Sequence, residues 1–338
     1  RRYLVTTSRV RPAVWFGVGL LVLVVSQTIS LMLGAFSNTP GEVAAWVSGS
    51  WSDAPVDTTD RVLSSIRLPR VLGAALVGAT LGGVGAVLQG VYRTPLADPN
   101  LLGYSSAAGV GAALGFALTP VGVIPVLPVV LAAISAALFG IGTSALRART
   151  GRDRFILAGV AFGFALLAWT GVFVLIVDSP RVPTLIFFVF GTLSGTTWKV
   201  LLTAFVAIVP AFAVMWRYGP GLDLISLGDH EATHLGFDTR HLVPVIVAAA
   251  GLAVGASVVL GGVVGFVGLL MPFLLRPLVG PTHRSLIPAA ALGGATAVVA
   301  ADTLARTIAA PTEIPLGLIT AAVGGPLLAW MLLRRRPA

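Results

Sequence analysis

The chain has 338 residues, 56% hydrophobic and only 10% charged, with a mean hydropathy of +0.95. A soluble domain keeps about a quarter of its residues charged, so a water-soluble enzyme or carrier is excluded and a polytopic all-α membrane protein is expected. Cysteine is absent, which removes disulfides and thiolate metal sites, and the net charge of +9 sits in short loops between apolar stretches, where membrane orientation accounts for it better than nucleic acid does.

The opening RRYLVTTSRVRP runs into an apolar stretch with no small-residue cleavage site, so it reads as an anchor rather than a signal peptide. Ten spans are predicted, over 13–34, 69–91, 101–118, 123–146, 155–177, 199–217, 242–260, 261–278, 286–305 and 315–333. In the second, Gly78, Gly82, Ala86 and Gly90 recur at i, i+4 and present a bare backbone face for close helix packing. Short basic motifs with proline bracket that span, Arg67-Leu68-Pro69-Arg70 before it and Arg93-Thr94-Pro95-Leu96-Ala97 after it. The seventh and eighth spans share so little chain that one of them must be short. Arg70 to Arg93 and Arg240 to Arg276 share a pattern five spans apart, as expected of two inverted halves.

Loops on the amino-terminal side hold 16 of the 22 Lys and Arg; the other side holds Arg61, Arg67, Arg70, Arg181, Lys199 and Arg306. Both termini are therefore expected in the cytoplasm. The outer segments 35–66, 178–198 and 306–314 read as a polar linker, a loop with an interfacial apolar piece, and a connection. The inner loop 218–241 is charged and leucine-containing and reads as one or two short helices. Gln89 is the clearest polar side chain inside a span, placed either to line a pore or to hydrogen-bond a neighbouring helix.

The inner loop contains His230-Glu231-Ala232-Thr233-His234, an HExxH pattern that on a helix presents two imidazoles to zinc with a glutamate base. An intramembrane zinc protease is therefore a competing reading. Against it, Phe237 stands where the metzincin extension needs glycine, a third ligand from Asp238 or His241 needs a fold-back, and the motif lies outside any span. A proton-coupled transporter needs buried ionisable groups, for which Asp302, beside Arg306, is the one candidate. No nucleophile elbow or phosphate-binding Walker loop is present, so any ATP must be hydrolysed by a partner.

Several separated motifs, in order, carry a resemblance that covers about residues 60 to 333. They are RLPRVL at 67–72, RTPLADPNLLG at 93–103, FGTLSGTTW at 190–198, LDLISLGDHEATHLG at 222–236, GGVVGFVGLLMPFLLR at 261–276, and ADTLAR with EIPLGLITAAVGGP at 301–326. Together they resemble the FecCD-type permease subunit of ATP-binding-cassette importers for iron-siderophores, haem and vitamin B12. The resemblance implies one permease domain over 1–338 with 218–241 as a cytoplasmic coupling loop, in a bacterial inner membrane. It implies no enzymatic activity of its own, no cofactor and no metal site. The expected partners are ABC ATPase subunits, an extracytoplasmic substrate-binding protein, and a second permease copy or a related permease, surrounded by membrane lipid and without nucleic acid.

Residue by residue, the resemblance implies that Arg67, Arg70 and Arg306 receive carboxylates of the binding protein. It assigns Leu227, Gly228, Asp229, Glu231, Ala232, Leu235 and Gly236 to ATPase coupling, making HExxH a coincidence within that segment. Thr94, Pro95 and Leu96 form the expected cytoplasmic gate, with Thr94 in place of the family's asparagine. Pro272-Phe273 replaces the usual Pro-His. The expected cargo is a metal chelate, a ferric siderophore before haem or a corrinoid.

Overall fold

The computed structural model describes residues 12–33, 41, 43, 46, 58–119, 126–149, 152–176, 189–310 and 312–334. Among these residues, every regular element is helical. In chain order they are α1 (Pro12–Met32), α2 (Leu68–Tyr92), α3 (Tyr104–Leu118), α4 (Val126–Arg149), α5 (Arg152–Ile176), α6 (Trp198–Arg217), α7 (Gly219–Leu227), α8 (Asp229–His234), α9 (Thr239–Gly261), α10 (Val267–Val279), α11 (His283–Thr307) and α12 (Leu316–Arg334).

Ten of these helices lie where spans were expected. Six are long and apolar enough to cross a membrane by length and composition; α3, α5, α10 and α12 carry shorter apolar stretches. The squeeze between the seventh and eighth spans is resolved in α10, which has only 13 residues. The inner loop forms two short helices, α7 and α8, as its charge and leucine pattern predicted. The polar linker before α2 differs from expectation at its end. Thr58–Arg61 is helical and Val62–Arg67 is a π-helical turn that runs directly into α2. Most of the linker and residues 178–188 lie outside the described residues.

The glycine stripe of α2 explains why this helix is central: 78% of its span is buried, against 11% for α1. A Cβ on Gly78 would stand 2.1 Å from the Gly294 carbonyl oxygen, and one on Gly82 would stand 2.0 Å from that of Ala290. Backbone therefore touches backbone along the α2–α11 crossing. In lipid, where hydrophobic burial between helices adds little, such close packing supplies the association energy. A second crossing, α9 on α4, is built the same way, with Gly251 and Gly255 each 2.4 Å (as a would-be Cβ) from the carbonyls of Ala136 and Ala132.

These two crossings expose the expected repeat. Moving five spans along the chain turns α2 on α11 into α9 on α4, α2 on α10 into α9 on α3, and α3 on α5 into α10 on α12, and all six pairs are in contact. The second helix of each half is also entered alike. Gly103 before α3 and Phe266 before α10 both hold a left-handed backbone, at φ 89 and φ 67.

Candidate functional site: two charged mouths of the bundle

At one end of the bundle, α2 stops at Arg93, whose left-handed backbone turns the chain into the loop 94–103. Thr94 is buried and its hydroxyl accepts from the Leu96 amide at 3.4 Å, so the threonine makes a local turn contact of its own. Leu96 is exposed beside it. Asp98 is buried and accepts from the Asn100 amide at 2.8 Å and the Leu101 amide at 3.3 Å. It also accepts from the amide of Leu269, in the first turn of α10. Gln89 grips the same two elements. Its Nε2 donates to the carbonyls of Pro95 (3.1 Å) and Leu269 (3.2 Å), and its Oε1 accepts from Arg276 at 3.2 Å. Of the two roles open to Gln89, the structure shows the interhelical hydrogen bonds, at a buried position.

Burial pushes the Asp98 carboxyl up from 3.8 to about 6, against the three amides that pull it down. Because the folded value lies above the unfolded one, protonation favours this loop. The contribution is complete below about pH 4 and is lost as pH rises through about 6. The thermal midpoint in detergent is therefore expected to be higher at about pH 5.5 than at about 7.5, and Asp98→Asn is expected to narrow that difference. An equal pH response in wild type and variant would show that this carboxyl does not titrate there.

The helical loop sits on the same mouth. Asp229, the first residue of α8, is ion-paired to Arg93 and accepts from Arg147 Nη2 at 2.9 and 3.1 Å. One carboxylate thus joins the loop to the ends of α2 and α4. A second staple is Asp223 of α7, whose Oδ1 accepts from the His283 amide at 2.9 Å and lies 2.5 Å from the same residue's Nδ1, at the start of α11. Gly228 separates α7 from α8 at φ 149, a backbone that strains any other L-residue. Gly228 and Ala232 are buried, whereas Leu227 and Leu235 are 67% and 63% exposed, large apolar side chains outside any span.

His230, Glu231 and His234 are exposed on the six-residue α8, and the residues that a third zinc ligand would come from are paired with each other, His241 Nδ1 to Asp238 Oδ2 at 2.6 Å. Among the described residues no group of three or more His, Cys, Asp or Glu is placed to hold a metal.

The other mouth carries the outer arginines, and the structure buries all three. Asp302, 1% exposed, accepts from Arg70 Nε at 3.1 Å and Nη2 at 2.9 Å, and pairs with Arg306 Nε at 3.0 Å. Asp302 and Arg306 are therefore ion-paired at i, i+4, with Arg70 added to the pair. Arg70 also grips Glu313 with both terminal nitrogens, at 2.8 and 3.0 Å. Arg306 donates to the Ser30 hydroxyl at 2.7 Å and Arg67 to the Leu31 carbonyl at 2.6 Å, which ties α1 to the cluster. Glu313 keeps 41% of its side chain exposed and is the accessible edge of this network.

Phe273, at the position where the resemblance led one to expect histidine, packs against the small apolar cluster of Leu269, Leu270 and Met331 between α10 and α12. Sequence reasoning missed Arg147, Asp98, and the Asp223–His283 staple. Asp98 lay in a quoted motif, but its burial depends on α10; Arg147 and His283 find their partners only through the fold.

Apolar helices crossing on bare backbone, with a helical loop clamped to one mouth and a buried charge cluster at the other, define a polytopic helical membrane protein. The chain belongs to the FecCD transport family, whose model matches residues 21–334. It is 36% identical over 335 residues to the hemin transport system permease HmuU of Yersinia pestis, covering 97% of this chain and 98% of that one. It is 38% identical over 324 residues to the vitamin B12 import permease BtuC of Escherichia coli, covering 93% and 94%. A solved structure described as a metal-chelate type ABC transporter, facing inward, is similar with TM-score 0.77 and 30% identity over 96% of this chain and 99% of that one. The chain is thus an ABC-importer permease subunit and a multi-pass inner-membrane protein, not an enzyme; ATP hydrolysis in this class lies in a separate subunit.

Proposed function

We propose that residues 1–338 form one permease domain that passes a metal chelate, in first place a ferric siderophore, through a pore lined jointly with a second copy or a related permease. The metal-chelate neighbour and the haem and vitamin B12 permeases among its relatives support the chelate class. The siderophore is the sequence's expectation within that class. The observation that carries the mechanism is Asp229, held at once by Arg93 at the end of the central helix and by Arg147.

On this reading the ATPase docks on 218–241, with exposed Leu227 and Leu235 entering its surface. Gly228, Asp229, Glu231, Ala232 and Gly236 keep α7 and α8 in shape. Closure of the ATPases pulls on Asp229, and the pull reaches Arg93 and the gate residues Thr94, Pro95 and Leu96 directly along the chain. A ligand shifts such a two-state equilibrium only by its differential affinity for the two states, so the clamp must be tighter in one of them. At the outer mouth, carboxylates of the binding protein compete with Glu313 for Arg70, and Arg67 and Arg306 support that site from beneath.

Uptake into proteoliposomes holding the permease, its ATPase and its binding protein tests this, with ferric siderophore, haemin and cobalamin offered separately. ATP-dependent uptake of the siderophore at least about tenfold above the others is expected, a preference of about 1.4 kcal/mol. Uptake of haemin or cobalamin alone would overturn the siderophore and leave the importer standing. Uptake that needs no ATPase would overturn the importer.

A further inference from the structure

Between α2, α6 and α11 lies a groove of about 410 Å³, lined by Leu76, Ala79, Phe212, Trp216, Pro288 and Ala291 among others. Ala79 and Ala291 are small and leave the space open between the larger side chains. Val209 on the groove's wall and Leu202, Phe205 and Val206 further along α6 are exposed, an apolar face suited to hydrocarbon.

One end of the groove is different. Trp216, in the last turn of α6, is 46% exposed, and its indole N–H donates to the Arg284 carbonyl at 3.2 Å. The Arg284 guanidinium stands over the indole ring, 5.9 Å from its centroid. Arg217 follows Trp216 and is also exposed. Among the described residues no carboxylate forms an ion pair with Arg284 or Arg217. Asp223 of α7 is engaged by the amide and ring of His283, the residue before Arg284. An apolar trough therefore ends in a guanidinium that rests on an aromatic platform and carries unmatched positive charge. Tryptophan at a helix end is the signature of headgroup depth, and basic pockets between spans on the inner side select anionic headgroups.

We propose that this groove is a binding site for an anionic phospholipid, one acyl chain lying along α2, α6 and α11 and the phosphate meeting Arg284. The site joins the central helix to its two neighbours. A bound lipid there would hold α6 on the α2–α11 pair, where Phe212 already lies against Gly83.

Native mass spectrometry of the full chain tests the proposal, after exchange into phosphatidylcholine nanodiscs that contain a minor fraction of phosphatidylglycerol. Wild type is expected to retain phosphatidylglycerol selectively. Arg284→Gln is expected to weaken that retention about five-fold, the equivalent of about 1 kcal/mol for one basic contact, while Arg284→Lys keeps most of it. Arg240→Gln removes an exposed arginine of the same side outside the groove and should change nothing. Ala213→Phe fills the groove from its exposed lipid-side wall and should lower retention of both lipids. Equal effects of Arg284→Gln and Arg240→Gln, or no effect of Ala213→Phe, would overturn the site.

Discussion

Asp229→Arg is expected to lower chelate uptake at least about tenfold and to weaken co-elution of the permease with its ATPase in size-exclusion chromatography. The carboxylate now lies between Arg93 and Arg147, whose side chains are 33% and 17% exposed. Placing a third guanidinium there turns two attractions into two repulsions in a partly screened setting, so α8 must leave the mouth of α2 and α4. Each pair alone, this exposed, contributes modestly to stability. The loss is therefore expected in function: uptake at least about tenfold down, with the thermal midpoint little changed. Asp229→Asn keeps a polar group and the shape of α8, and should retain co-elution while uptake falls. The double variant Asp229→Arg, Glu231→Arg should lose co-elution altogether. Wild-type uptake in Asp229→Arg would mean that the clamp transmits nothing, and the coupling path would have to run through Asp223 and His283 instead.

The second large effect belongs to the outer mouth. Asp302→Ala leaves Arg70 and Arg306 facing each other at 8% and 7% exposure with one carboxylate, Glu313, on Arg70 alone. Removing one partner of a buried ion pair costs about 3–5 kcal/mol, because the remaining charge is stranded. Detergent-solubilised membrane proteins seldom refold, so the readout is the temperature at which the monodisperse peak disappears. A large drop is expected for Asp302→Ala. Asp302→Leu combined with Arg306→Met should recover part of it, since well-packed apolar groups often replace a buried pair at little cost. If Asp302→Ala persists to the wild-type temperature, the cluster is not what anchors α11 to α2 and α1. Arg70→Glu then becomes a clean test of docking, read as loss of ATPase stimulation by the binding protein.

The order of the helices was legible in the sequence because hydropathy and loop charge are local properties. The short α10 was legible too, from the chain left between Arg240 and Arg276. The glycine stripe announced a close crossing but not its partner: Gly78 meets Gly294 through the fold, and no spacing rule reaches that far. The outer arginines were singled out as basic residues on the poorly charged face. That they are buried depends on Asp302 near the end of α11, on Glu313 just beyond it and on Ser30 of α1, which the fold brings together from distant parts of the chain. The same holds for Gln89, whose hydrogen-bond partners are set by the loop and by α10. Arg147 counted only as one more inner charge until the fold brought Asp229 to it.

The interleaving of the two halves has a consequence for how the chain is made. The central helix of the first half is seated in the second half, and α9 is seated back in the first. When α2 leaves the ribosome, its bare stripe has no partner, and it keeps none until α11 emerges after nearly the whole chain has been synthesised. Contacts this distant in sequence form late. Through most of its biosynthesis that stripe faces lipid, and α2 is held by its own backbone hydrogen bonds and by its contacts with α6, α9 and α10 as these emerge. A ribosome that stalls before α11 therefore releases an inserted but unlocked bundle, with its glycine face open to membrane quality control.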